Sequence, residues 1–248
     1  MVRRPAALLT RRPGPITLAF AVPLAALAYY LGAPALPALA PGDQTVIVAG
    51  GVGLLFVAAT ALALLPARET LVGPLLVVLG SGLLVAALNT GGVGAGANVP
   101  EALLASALGL ILARLFTVAL SAVAVPLFVA AVDIASVWNG PTERMLQDGT
   151  DRVDPLSFDL PAWGDAGSAG HLGLSDAVFL AMFAAWARRY GLRRRATLLG
   201  MLLGLLATPV LSVLLDTAIP ALPLIAAGYL LPNADRVGAL LTRAERPA

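Results

Sequence analysis

Residues 101–138 read EALLASALGLILARLFTVALSAVAVPLFVAAVDIASVW, an almost uninterrupted apolar stretch. As one helix this stretch would be roughly 57 Å long at about 1.5 Å per residue, nearly twice the thickness of the hydrocarbon layer. We therefore predict two membrane spans, near 101–119 and 121–138, although no strong turn signal separates them. This division decides the topology of every segment that follows.

The rest of the chain is similarly apolar. It is 59% hydrophobic and 12% charged with a mean hydropathy of +0.89, whereas a soluble domain is about half apolar and about a quarter charged. We predict an all-α polytopic transmembrane helical bundle in which residues 1–119 form four N-terminal spans and residues 120–248 form four more around an extramembrane loop, 139–170. Apolar runs of about 20 residues place the eight spans at 15–33, 44–65, 71–89, 101–119, 121–138, 172–187, 196–215 and 218–232.

The positions of the arginines support this count. Short loops rich in arginine stay in the cytoplasm, and with eight spans all the arginine clusters fall on one side, together with the N-terminus. The loop 139–170 then lies outside, and it is acidic, with six Asp or Glu against two Arg. A cleaved signal peptide ending near Ala40 is the alternative interpretation of the first span. The clustered arginines are Arg3, Arg4, Arg11, Arg12, Arg68, Arg188, Arg189, Arg193, Arg194, Arg195, Arg236, Arg243 and Arg246.

Composition excludes several kinds of site. The chain has no cysteine and no lysine, and His171 is its one histidine, so disulfides, thiolate metal sites, Schiff-base chemistry and a multi-histidine metal site are excluded. We expect no cofactor and no metal. The arginines sit at predicted membrane edges, which indicates topology anchoring in a lipid bilayer and not nucleic-acid binding.

Two aspartates interrupt the apolar segments. Asp133 lies about five residues before the outer end of its predicted span, and Asp176 lies about four residues after the start of the next. Acids inside a bilayer are costly and usually functional. Because both aspartates adjoin the same loop, they enter from the same face to similar depth and could meet. Two adjacent carboxylates can share one proton, which is the requirement for aspartic-protease chemistry.

Purely structural roles are the alternative interpretation of Asp133 and Asp176. Asp133 could cap a neighbouring helix, and Asp176 could be an acid favoured by the dipole at the start of its own helix. The histidine beside it, His171, could modulate the protonation of the pair or simply be an interfacial loop residue. In the loop, residues 153–160 alternate apolar and polar side chains in part, as a short strand would, but we favour a solvated loop.

Three short motifs carry a resemblance to a known family. The segment from Gly173 through Leu174 and Ser175 to Asp176 resembles the Gly-x-Gly-Asp motif of the presenilin and signal peptide peptidase family of intramembrane aspartyl proteases. The segment around Asp133 resembles the family's Tyr-Asp segment. Further along, Pro220, Ala221 and Leu222 match its Pro-Ala-Leu motif, in the family's order. The resemblance covers residues 120–232, and the chain departs from it at Val132, at Ser175 and in having eight spans instead of nine.

The resemblance implies an aspartic endopeptidase that cuts single-pass transmembrane or signal-peptide-like segments within a prokaryotic cell membrane. It makes Asp133 and Asp176 the catalytic pair that activates water. It also implies that the backbone around both motifs shapes the substrate cleft, where family members pair an extended substrate with a strand. The alternatives are a transporter that uses the two aspartates as a proton or cation relay, a catalytically inactive homologue, and a silent membrane scaffold. The cleft residues implied are Gly173, Leu174, Ser175, Pro220, Ala221 and Leu222.

Overall fold

The computed structural model describes residues 15–40, 42–91, 94–139, 157–164 and 167–244. It is a helical bundle that carries one small β-hairpin, made of β1 (Ser157–Pro161) and β2 (Ser168–Gly173). The first and last arginines and most of the predicted acidic loop, including residues 153–156, lie outside the described residues. The helices are α1 (Pro15–Gly32), α2 (Gly51–Ala63, entered through the π-helical turn Thr45–Gly50), α3 (Val72–Thr90), α4 (Gly94–Leu115), α5 (Ser121–Asn139), α6 (Leu174–Arg189), α7 (Arg194–Leu215), α8 (Ala221–Leu230) and α9 (Ala234–Ala244).

The predicted division of residues 101–138 is confirmed. Helix α4 ends at Leu115 and α5 begins at Ser121, so the chain turns between them. The Tyr190 hydroxyl donates to the carbonyl oxygens of Thr117 (3.2 Å) and Val118 (3.3 Å). These contacts satisfy carbonyl groups that a continuous helix would have bonded internally. The turn is therefore fixed by a tertiary contact, which explains why its own sequence carries no strong turn signal.

Six helical segments in the described part of the chain are long and apolar enough to cross a membrane. Each of the eight predicted spans corresponds to a helix, but α6 has 16 residues and α8 has 10, both below the usual length of about 20. A multi-pass helical bundle is therefore supported, with six helices that could span a membrane by length and composition, while the count of eight spans stays a prediction. These six are Thr17–Ala35, Thr45–Glu69, Val72–Thr90, Gly96–Leu115, Ser121–Trp138 and Arg194–Leu215.

Helix α6 lies at the centre of the bundle. Nearly every residue from Asp176 to Ala187 is buried, the pattern of a helix that is surrounded on all sides. Helix α4 crosses it so closely that a Cβ at Gly109 would lie 2.2 Å from the Val178 carbonyl oxygen. The two ends of α6 define the ends of the bundle. We call them the hairpin end, next to β2, and the arginine end, next to Arg188 and Arg189.

Helices α7 and α8 also cross at glycine contacts. A Cβ at Gly228 would lie 2.2 Å from the Gly200 carbonyl oxygen, and one at Gly204 would lie 2.3 Å from the Leu224 carbonyl oxygen. Small residues permit this approach of two backbones. By contrast, a Cβ at Gly80 or at Gly82 would meet nothing within 4 Å. Similar small-residue patterns in the sequence thus have different roles in the structure.

The short helix α9 is docked on the arginine end. Arg193 pairs with Asp235, with 2.9 Å between its Nη2 and the Oδ2 of Asp235. Asn233 completes the joint: its Oδ1 accepts from the Arg193 amide at 2.8 Å, and its Nδ2 donates to the Thr197 hydroxyl at 2.7 Å. The hydrogen bond from the Arg193 guanidinium holds the pKa of the Asp235 carboxyl below its usual value. The pair is therefore ionised on both sides at neutral pH.

The α7–α8 crossing predicts a specific sensitivity to added volume. We expect Gly228→Ala to lower the free energy of unfolding by about 1–3 kcal/mol, because the new methyl group would press on backbone that cannot rotate away. Thermal unfolding of the purified protein in detergent measures this loss. Gly80→Ala, in α3, is the matched control and should leave the unfolding temperature almost unchanged. Equal stability of the two variants would contradict the close crossing.

Candidate active site

Asp133 lies near the hairpin end of α5 and is half-buried. Its Oδ2 accepts a hydrogen bond from the Leu222 amide at 3.0 Å. Leu222 is the second residue of α8, so its N–H has no partner within its own helix. Asp133 therefore caps a neighbouring helix, which is the structural role that its position in the sequence suggested.

Asp176 lies in the first turn of α6 and is buried. Its carboxylate receives a backbone hydrogen bond from Gly173, the residue that precedes the helix. A Cβ at Gly173 would lie 3.2 Å from Asp176 Oδ2 and 3.3 Å from Ser175 Oγ. The glycine thus leaves room for the carboxylate to fold back over the start of its own helix. The Ser175 residue is exposed.

The two carboxylates lie close enough for Coulombic repulsion between them. Asp133 comes from α5, Asp176 from α6, and the Leu222 amide from α8, so three separate helices meet here. Pro220 immediately precedes α8, and Ala221 and Leu222 are buried in its first turn. The structure thus brings the two aspartates within electrostatic range of each other, and it hydrogen-bonds the first to the Pro-Ala-Leu segment. Leu174 is half-buried and packs on the core beside them.

The hairpin leads directly into this site. Strands β1 and β2 pair antiparallel with Asp159 opposite His171. The Asn98 side chain binds both backbone groups of Asp159: its Nδ2 donates to the Asp159 carbonyl at 2.8 Å, and its Oδ1 accepts from the amide at 3.0 Å. The backbone groups of Asp159 therefore point away from β2. In an antiparallel pair those of His171 then point away from β1, towards the outer edge of β2.

No other strand in the described residues pairs with that outer edge. The edge ends at Gly173, three residues before Asp176. The exposed imidazole of His171 lies 3.8 Å from the Asp159 carboxylate, measured from Nδ1 to Oδ1. The solvated loop that we favoured for residues 153–160 is wrong over residues 157–160, which belong to the strand Ser157–Pro161, and its partner strand was not predicted.

Glu101 is buried like Asp176, and it was not predicted as a functional residue. It lies in α4, where it hydrogen-bonds Asn89, and it interacts electrostatically with Tyr30. Helix α4 begins at Gly94, before the predicted start of this span at residue 101. The added first turns carry Asn98, which binds the hairpin. An acid inside an apolar run was the same signal that identified Asp133. Among the described residues, no three His, Asp or Glu side chains could jointly hold a metal ion.

Comparisons of the chain with family models, with curated proteins and with solved structures found no match. The resemblance to the presenilin and signal peptide peptidase family therefore rests on the three short motifs alone.

The hydrogen bond to Leu222 predicts different effects for two substitutions of Asp133. Asp133→Ala should lower the free energy of unfolding by about 1–3 kcal/mol, because the Leu222 amide loses its acceptor. Asp133→Asn keeps an acceptor oxygen at the same place and should unfold near the wild-type temperature. Thermal unfolding in detergent compares the two. A stable alanine variant would show that the amide finds another partner.

Proposed function

We propose that this protein is an intramembrane aspartyl protease that cleaves single-pass transmembrane or signal-peptide-like segments. The observation that supports this best is the hydrogen bond between Asp133 and the Leu222 amide, together with the proximity of Asp133 to Asp176. Three segments selected by motif, far apart in sequence, meet at one end of the bundle. A pair of carboxylates beside a free strand edge suits peptide hydrolysis by the aspartic mechanism.

The proposed chemistry uses one proton shared by Asp133 and Asp176, because two adjacent like charges do not both ionise readily. The ionised carboxylate takes a proton from water, and the resulting oxygen attacks the carbonyl carbon of the peptide. The protonated carboxyl donates its proton to the carbonyl oxygen. The leaving nitrogen of the tetrahedral intermediate then takes the proton that the first carboxylate removed from water, the C–N bond breaks, and one hydroxyl of the intermediate returns its proton to the other carboxylate, which restores the shared proton.

The outer edge of β2 is the proposed docking place for the substrate. A substrate segment must unwind before its carbonyl group can be attacked, and an extended segment can add to a free strand edge through main-chain hydrogen bonds. The backbone groups of His171 face that edge. A segment bound there would continue towards Asp176, past Gly173, Leu174 and Ser175. The buried start of α8 at Pro220, Ala221 and Leu222 would form the opposite wall.

The proposed setting is a prokaryotic cell membrane with eight spans, including the short helices α6 and α8. Helix α6 is about 24 Å long at 1.5 Å per residue, and the other helices shield it from lipid. The arginine end then faces the cytoplasm by the positive-inside rule, with the N-terminus. The carboxylate pair lies towards the opposite surface.

A proton or cation relay is the alternative function, and the buried Glu101 favours it. Glu101 lies towards the hairpin end, as the two aspartates do, and buried acids in membrane proteins often form such relays. A relay predicts ion or proton flux that continues in the presence of a transition-state analogue of aspartic proteases. The protease predicts that the same analogue stops peptide cleavage.

Exchange of either aspartate tests the protease. Asp133→Asn and Asp176→Asn should each abolish cleavage of a single-pass substrate in reconstituted vesicles, because neither half of the pair can act alone. Asp216→Asn is the matched control: Asp216 is exposed beyond α7 in a left-handed conformation with φ of 49°, which asparagine also tolerates. We expect it to cleave at the wild-type rate. Retained cleavage in either Asp133→Asn or Asp176→Asn would refute the proposal.

A proline substitution tests the strand edge separately. His171→Pro removes the amide that faces the outer edge of β2 and leaves the bonds between β1 and β2 in place. Loss of one main-chain hydrogen bond should reduce kcat/KM for the substrate about fivefold to tenfold. His171→Ala keeps the amide and should cleave normally. Similar losses in both variants would assign the effect to the imidazole.

A further inference from the structure

A second site lies at the arginine end, remote from the carboxylate pair. A cavity of about 710 Å³ opens between the segment that connects α2 to α3 and the ends of α4 and α6, a volume within the usual range for small-molecule sites. Four arginines line it, and the acid that lines it is Glu69. The lining arginines are Arg68, Arg114, Arg188 and Arg189.

Backbone carbonyl groups hold three of these arginines in place. Arg68 donates to the Leu65 carbonyl oxygen at 2.9 Å, Arg114 to that of Glu69 at 2.9 Å, and Arg189 to that of Ala113 at 3.1 Å. A guanidinium has five N–H donors, so each of these contacts leaves donors for a ligand. The arginines are thus oriented before any ligand arrives, which reduces the entropy lost on binding.

The positive charge of the cavity is poorly balanced. Arg68 forms an ion pair with Glu69 at 3.2 Å, while Arg188 and Arg194 both repel Arg68. Among the residues that the structure describes, Arg188 has neither a hydrogen-bond nor an ion-pair partner. Arg193, nearby, is instead neutralised by Asp235. The cavity therefore has a net positive charge and guanidinium N–H groups that remain free to donate, and both suit a phosphate group.

Part of the cavity wall is apolar. Leu110 and Trp186 form its buried inner wall. At its rim, Leu71 and Leu115 are 43% and 67% exposed, and both lie at ends of helices long enough to span a membrane. A ligand that satisfies both surfaces has an anionic head and a hydrocarbon tail.

We propose that this cavity binds an anionic phospholipid, with the phosphate among Arg68, Arg188 and Arg189 and the acyl chains along Leu71 and Leu115. Basic cavities between transmembrane helices recognise such headgroups. The lipid would join the segment that connects α2 to α3 to the ends of α4 and α6, and so would fix the arginine end of the central helix. The site is independent of the proposed protease, because it lies at the opposite end of α6.

Lipid binding to the purified full-length protein in detergent tests this proposal. Phosphatidylglycerol should raise the unfolding temperature in a saturable way, whereas phosphatidylcholine with the same acyl chains should not. Arg188→Gln should weaken the apparent affinity for phosphatidylglycerol about fivefold, the effect expected for one arginine near a charged lipid. Arg188→Lys keeps the charge and should lose less. Arg195→Gln, exposed and outside the cavity lining, is the matched control and should bind normally.

Three results would overturn the proposal. Equal weakening by Arg195→Gln would show general attraction to the arginine end. Equal stabilisation by inorganic phosphate or by glycerol phosphate would show a site for a soluble anion. Absence of any difference between phosphatidylglycerol and phosphatidylcholine would show no headgroup recognition. Because Arg188 is exposed and has no hydrogen-bond or ion-pair partner in the part of the chain that the structure describes, unfolding temperatures without lipid should be the same for all variants and serve as the check on folding.

Discussion

The bond between the Asp133 carboxylate and the Leu222 amide is the contact on which the site depends. Helix α8 begins inside the bundle, with Ala221 and Leu222 buried, and hydrocarbon offers no water to satisfy the free N–H groups at a helix start. Pro220 has no N–H to satisfy, and Asp133 accepts the bond from Leu222. A carboxylate at this depth is therefore part of the packing of α5 on α8, and the same contact sets its position beside Asp176.

Capping and catalysis are compatible roles for the two aspartates. A carboxylate has two oxygens and about four positions for accepting hydrogen bonds. Asp133 gives one oxygen to Leu222, and Asp176 receives one backbone bond from Gly173. Both side chains keep capacity for water and for each other. Fixed bonds of this kind hold reacting groups in one geometry, which is how active sites avoid the cost of reorganisation.

Hydropathy predicted the helices well because it depends on local composition, but the contacts between helices depend on pairs of positions. The apolar runs that correspond to eight of the nine helices, and the break before Ser121, could be found from the lengths of the apolar segments. Gly80 and Gly200 have similar neighbours in sequence, yet Gly200 alone faces another backbone, at Gly228. The motif order predicted the meeting of Asp133 with Leu222. Glu101 could have been found by the same reasoning, whereas the partner strand of the hairpin has no distinct pattern.

The two ends of the bundle follow one electrostatic rule with opposite signs. At the hairpin end, carboxylates accept from amides at helix starts that lack a partner in their own helix, as Asp133 does for α8 and Asp176 does for α6. At the arginine end, guanidiniums donate to carbonyl groups near helix ends, as Arg189 does at the buried Ala113. Each charge complements the helix dipole that it faces. A carboxylate capped in this way can exchange protons with water, whereas a guanidinium stays charged. The proposed proton transfer therefore suits the hairpin end, and the proposed binding of a phosphate suits the arginine end.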